Sequence, residues 1–307
     1  MMATKIEWTE ETWNPIAGCT KCSPGCDNCY AERMAYRLAC MGIEKYEKVS
    51  GRDWAKKNRE DEVYCDEKSL NIPLHWRKPR RIFVCSMSDL FHPKVPYSFI
   101  DKIFAQIAGC EQHTFQILTK RPKQMHRWYN AGPGGGIASC ATLPNLWLGV
   151  TVCTPDEKPK IDILRDIPAA VKFLSFEPLL ADMGEINLDG IDWVIVGGES
   201  GPNARPMHPD WVRGIRDQCV AAGVPFFFKQ WGKYTSDGPG KCVENDVVFL
   251  KDGTLMNVKD VIKNGWQKYY GTPTDCVWMK RVGKKKAGSL LDGREWKQYP
   301  LIAKENQ

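Results

Sequence analysis

Six short runs of β-forming apolar residues recur along this chain, and each is followed at once by polar or glycine-rich residues. They are Arg81-Ile-Phe-Val-Cys85, Phe115-Gln-Ile-Leu-Thr119, Leu146-Trp-Leu-Gly-Val-Thr151, Val171-Lys-Phe-Leu-Ser-Phe176, Ile191-Asp-Trp-Val-Ile-Val196 and Val224-Pro-Phe-Phe-Phe228. Runs this continuously apolar fit strands buried on both faces, which means a parallel sheet covered by helices. Two intervening stretches have helical pattern. From Tyr97 to Gly109 the apolar positions Phe99, Ile100, Ile103, Phe104 and Ile107 share one face, and residues 209–222 open on Pro209-Asp210 and close at Gly223. The expected class is α/β, a partial (β/α) TIM-type barrel of six to seven parallel strands. A doubly wound open sheet would give the same pattern. The rhythm stops after Trp231-Gly232. Residues 1–232 are therefore read as the barrel and 233–307 as a small basic and aromatic C-terminal appendage, with Gly238-Pro-Gly240 marking the joint.

The residues directly after the strands are the candidate site, because catalytic groups of β/α barrels sit on the loops after strand C-termini. They are Ser86-Met-Ser-Asp89, Lys120-Arg121, Thr151, Glu177, Gly197-Gly-Glu-Ser200 and Lys229-Gln230. Lys120, Glu177 and Lys229 are the candidate catalytic residues, against the plainer alternative of an ion pair at the barrel mouth. His92 could line the same cleft. No Ser–His–Asp arrangement, P-loop or His-Glu-x-x-His motif is present.

Four cysteines lie within eleven residues at Cys19, Cys22, Cys26 and Cys29. Thiolates this close repel one another unless a metal or disulfide neutralises them. Cys22, Cys26 and Cys29 have C-x3-C-x2-C spacing, which suits a three-thiolate iron–sulfur site with one iron left open. A single zinc usually takes two C-x2-C pairs separated by a dozen residues or more, whereas only three separate them here. Iron–sulfur, zinc and no metal at all remain open on spacing alone. The chain has thirteen cysteines, no signal-peptide core and no apolar run approaching the roughly 18 residues that cross a bilayer. Reduced thiols, a cytoplasmic location and no membrane are expected. The net charge of +6 is modest, but the cations cluster at Arg77-Lys-Pro-Arg80-Arg81, Lys280-Arg281 and Lys284-Lys285-Lys286. Arg80, Arg81, Lys284, Lys285 and Lys286 are the candidate contacts to a DNA or RNA backbone.

The N-terminal stretch Ile6-Glu-Trp-Thr-Glu, Thr12-Trp-Asn-Pro-Ile-Ala-Gly-Cys19 and Ser23-Pro-Gly-Cys26-Asp-Asn-Cys29-Tyr-Ala-Glu32 resembles a phage-associated family of unknown function with a three-cysteine motif. That family is similar to the radical SAM superfamily, with spore photoproduct lyase a distant relative. The likeness continues through Ser86-Met-Ser-Asp-Leu-Phe-His92, Leu118-Thr-Lys-Arg-Pro122, Ser175-Phe-Glu-Pro-Leu179, Val196-Gly-Gly-Glu-Ser-Gly201 and Leu290-Leu-Asp-Gly-Arg-Glu-Trp296. It implies a [4Fe–4S] cluster that cleaves S-adenosylmethionine to a 5′-deoxyadenosyl radical, with an electron donor such as flavodoxin or ferredoxin. It also implies cofactor contacts from Tyr30, Ser86, Ser88, Asp89, Thr151, Gly197, Gly198 and Glu199. The chain departs from the family in two places. Members commonly carry the triad matching Cys19, Cys26 and Cys29 without Cys22, so two overlapping triads compete. Asn28 stands where radical SAM motifs usually place an aromatic. The resulting expectation is a radical SAM enzyme that repairs or modifies a nucleic-acid base. The alternatives are a non-catalytic nucleic-acid-binding protein stabilised by zinc or iron–sulfur, and a radical SAM enzyme acting on a peptide or small molecule.

Overall fold

The computed structural model describes residues 4, 6–49, 63–131, 143–236, 246–264 and 276–301. Its centre is a seven-stranded sheet in which every neighbouring pair is parallel. All six apolar runs form strands of it: β2 (Arg81–Val84), β3 (Thr114–Thr119), β4 (Leu146–Thr151), β5 (Val171–Phe176), β6 (Trp193–Gly197) and β7 (Phe226–Gln230). The seventh, β1 (Glu11–Trp13), pairs with β2 at one edge. The sheet runs β1 to β7 in chain order and curls into a half-barrel, which agrees with a partial β/α barrel.

Alternate residues of each strand face opposite sides, and both sides are buried. Outward residues such as Ile82, Val84, Ile117, Leu148, Val150, Val194 and Phe228 form one core with the helices. Those helices are α2 (Tyr97–Ala108), α3 (Pro122–Tyr129), α4 (Pro159–Arg165) and α5 (Pro209–Ala222); α1 (Tyr30–Cys40) lies behind the cysteine loop. α2 turns the expected Phe99, Ile100, Ile103, Phe104 and Ile107 inward. The concave face is filled by Trp8, Phe83, Trp147, Phe173, Trp193 and Phe227, aromatics too large to leave a pore. Towards the strand C-termini this face shrinks to Gly149, Thr151, Ser175 and Gly197, and there a cavity opens.

The open side between β1 and β7 is filled by two segments. Trp8 stacks into the interior with its ring centre 4.6 Å from Phe83. Residues 296–298 run along the β7 edge, where Phe228 N donates to Trp296 O (2.8 Å) and Gln298 N donates to Phe226 O (3.2 Å). Lys297 Nζ then reaches Glu7 (2.6 Å) and Tyr299 Oη donates to Glu7 O (3.1 Å), joining the two segments.

Beyond Gly232 the chain builds a second, antiparallel sheet from β8 (Tyr234–Thr235), β9 (Val247–Phe249), β10 (Leu255–Asn257) and β11 (Val277–Arg281), in the order β8-β11-β9-β10. Phe249 anchors it to α5 through Trp211, at 5.3 Å between ring centres. A short helical turn, Lys284–Ala287, leads back to the half-barrel. The expected joint at 238–240 lies outside the described residues. Among the described residues no helix is long and apolar enough to cross a membrane.

Candidate active site

The cysteine loop follows β1 and crosses the C-terminal end of the half-barrel. Ser23 caps a tight turn over Pro24–Cys26, its Oγ accepting from Gly25 N (3.2 Å), and Cys29 N donates to Cys26 O (3.2 Å) before α1 begins. Gly25 sits where no side chain fits: a Cβ there would stand 2.3 Å from Cys153 Sγ and 3.2 Å from Pro178 Cδ. The loop is therefore pressed against the segments that follow β4 and β5.

Two arginines fasten it. Arg121 donates through Nη2 to Thr20 O (2.6 Å) and through Nη1 to Cys19 Sγ (3.6 Å) and Asp89 Oδ2 (3.3 Å). Arg205 donates to Pro24 O (2.9 Å), Asp27 Oδ2 (3.1 Å) and both carboxylate oxygens of Glu199. Glu199 also accepts from Asn28 Nδ2 (3.0 Å), so the residue preceding Cys29 is bonded to the loop after β6.

A cavity of about 410 Å³ lies beneath the loop, within the usual range for small-molecule sites. It brings together Cys19, Cys26, Cys29, Tyr30, Ser86, Ser88, Asp89, Lys120, Thr151, Glu177, Gly198, Glu199, Lys229 and Lys284. Cys22, Gly197, Arg80, Arg81, Lys285 and Lys286 are not part of its lining. Cys22 is exposed. Arg80 and Arg81 stand at the start of β2, the opposite end from Ser86–Asp89. They are paired there with Glu11 and, at 3.6 Å, Glu10.

Several of the expected contacts hold the protein to itself. Asp89 accepts from Phe91 N (3.0 Å), Thr119 Oγ1 (2.7 Å), Lys120 N (3.1 Å) and Arg121, which fixes the loop after β3. Ser86 Oγ donates to Asn14 Oδ1 (3.1 Å), Ser88 Oγ donates to Ile16 O (3.0 Å), and Tyr30 Oη donates to Ser86 O (2.5 Å). Glu177 and Lys229 form an ion pair at 2.6 Å. Gly198 approaches the next loop so closely that a Cβ would stand 2.0 Å from Trp231 O. His92 faces the cysteine loop through Nε2 and Thr20 Oγ1 (2.8 Å). The hydroxyl of Thr151 is buried and has no partner among the described residues.

Charge at the loop is uneven. Burial pushes the Cys19 thiol up to about 12 against the pull of Arg121. The adjacent Cys22 side chain holds Cys26 below the ordinary thiol value against its burial, with Lys120 helping. Burial disfavours the Lys120 ammonium, but Cys153, Cys26, Cys29 and Asp89 outweigh it and hold the proton.

Among the described residues no three His, Cys, Asp or Glu side chains converge as a single metal ion requires. An iron–sulfur cube asks for a different arrangement, since each thiolate takes its own iron. Three thiols in one cavity wall with Lys120 and Arg121 beside them suit that donor set. The sequence reading missed Arg205 altogether, and its partners near Pro24 and Asp27 lie too far along the chain to leave a local signal.

Residues 3–300 match a family model described as "Protein of unknown function (DUF5131)". The chain belongs to that family. No curated protein and no solved structure matches it. The family's description assigns no activity.

Proposed function

We propose that the chain is a radical SAM enzyme that acts on a nucleic-acid base. The reading is carried by the shared placement of Cys19, Cys26 and Cys29 in the wall of a cavity at the C-terminal end of a parallel half-barrel. When bound, a [4Fe–4S] cluster with one open iron supplies the electron that cleaves S-adenosylmethionine. The chain's own residues give that chemistry its setting. Arg205 and Arg121 hold the loop from either side, and Lys120 supplies positive charge beside thiolates that would otherwise repel one another. Cys22 lies outside the lining, which favours the Cys19, Cys26 and Cys29 triad. Trp8 and Phe83, buried aromatics in the same lining, would limit water in the site, as a reactive radical requires.

The nucleic-acid part rests on Lys284, Lys285 and Lys286 near the mouth, since Arg80 and Arg81 are engaged elsewhere. The test is product analysis. Anaerobic protein reduced with dithionite should release 5′-deoxyadenosine from S-adenosylmethionine, and its absence from cluster-containing protein would reject the reading.

A further inference from the structure

Two groups of charged side chains line the cavity. In one, Lys120 lies among Cys26, Cys29, Cys153 and Asp89. In the other, Lys284 enters from the turn after β11 and stands near Lys229, Glu177 and Glu7. Every carboxylate in the lining is already paired: Asp89 with Arg121, Glu177 with Lys229, Glu199 with Arg205. Among the described residues the Lys284 ammonium has neither a salt bridge nor a hydrogen bond. Burial and the neighbouring Lys229 both disfavour its charge. A cation placed there gains most from an anion brought by a ligand. Lys284, Lys285 and Lys286 are all exposed and follow one another on the same short turn, Lys284 being the one whose side chain lines the cavity.

The apolar part of the same lining is formed by Ile6, Trp8, Phe83 and Leu118. Trp8 is 3% exposed, and among the described residues its Nε1 has no acceptor. An occupant suited to this lining has flat apolar faces and an anionic group that can reach Lys284. Three consecutive exposed lysines at one cavity also fit repeated phosphates better than a single carboxylate.

We propose that Lys284 is a phosphate subsite and that the substrate is a nucleotide unit, its base against Trp8, Phe83 and Leu118 and its phosphate at Lys284. This rests on the reading of the cavity as the reaction site, but not on the chemistry at the thiols. A free nucleotide and a base turned out of a single strand share the same recognition.

The test is equilibrium binding to the purified full-length chain without reconstitution, followed by tryptophan fluorescence. The probes are the four 5′-ribonucleoside monophosphates, their nucleosides, and a mixed-sequence single-stranded DNA of about twelve nucleotides. At least one monophosphate or the strand should bind at least roughly tenfold more tightly than the nucleosides, and Lys284→Ala should remove that advantage while leaving nucleoside binding unchanged. Tight binding of free monophosphates identifies a nucleotide substrate, and binding of the strand alone identifies a nucleic acid; either supports the subsite. No binding by any phosphate-bearing probe, or unchanged binding by Lys284→Ala, overturns it. Iron analysis of the same sample reports separately on the thiols. A chain that binds nucleotide but takes up no iron when a portion is reconstituted without oxygen keeps this inference and loses the radical one, and the reverse result does the opposite.

Discussion

Arg205 grips Glu199 through its backbone N (2.8 Å), Nε (2.9 Å) and Nη2 (2.7 Å), joining the loop after β6 to the loop that carries the cysteines. Glu199 is 6% exposed, so its charge depends on this partner. Arg205→Ala would leave a buried carboxylate with only Asn28 and its remaining backbone contact, and should cost about 2–3 kcal/mol. Thermal melting checks this. The double variant with Glu199→Gln should recover part of the loss, because the uncompensated charge is then gone.

Acid should act through the same pair. Burial raises the Glu199 pKa, but the side-chain and backbone bonds from Arg205 win and hold it below the usual carboxylate value. A carboxylate depressed on folding contributes stability that is full above its unfolded pKa of about 4.3 and is lost as pH falls through the folded value. The melting-temperature gap between wild type and Glu199→Gln should therefore be widest near neutrality and should shrink below about pH 4.3. Parallel curves down to low pH would contradict this.

Gly25 gives a steric test of the loop's seating. Gly25→Ala would drive a Cβ into Cys153 Sγ, and overpacking of this kind costs about 1–3 kcal/mol. Adding Cys153→Ala removes the clashing sulfur and should restore part of the stability. If Gly25→Ala melts like wild type, the loop does not sit as described.

Cys19 and Cys22 should behave differently when replaced by serine. Cys19 lines the cavity beside Arg121, whereas Cys22 is exposed and outside the lining. After anaerobic reconstitution Cys22→Ser should keep the visible absorbance of a cluster and Cys19→Ser should lose it. The opposite pattern would transfer the third ligand to Cys22.

Much of the sheet is readable in the chain because its inner strands are apolar on both faces, as at Leu146–Thr151 and Val171–Phe176. β1 is hidden because it is a three-residue edge whose one buried side chain, Trp13, is held by a distant contact: its Nε1 donates to Ser69 O (2.8 Å). The site divides along the same line. Strand-end residues such as Lys120, Glu177 and Lys229 follow from position, since strand C-termini share one rim. Which of them are spent on each other does not, and the Lys229–Glu177 pair emerges only in three dimensions. Arg205 stays invisible for the same reason, because its bonds to Pro24 and Asp27 span most of the chain.

The central claim is that Cys19, Cys26 and Cys29 hold an iron–sulfur cube at the cavity. Iron and acid-labile sulfide, measured on protein reconstituted without oxygen, test it most directly. The account predicts about four irons and four sulfides per chain, falling towards zero when all three cysteines are serine. One tightly held zinc without sulfide, or iron that remains after the triple substitution, would contradict it.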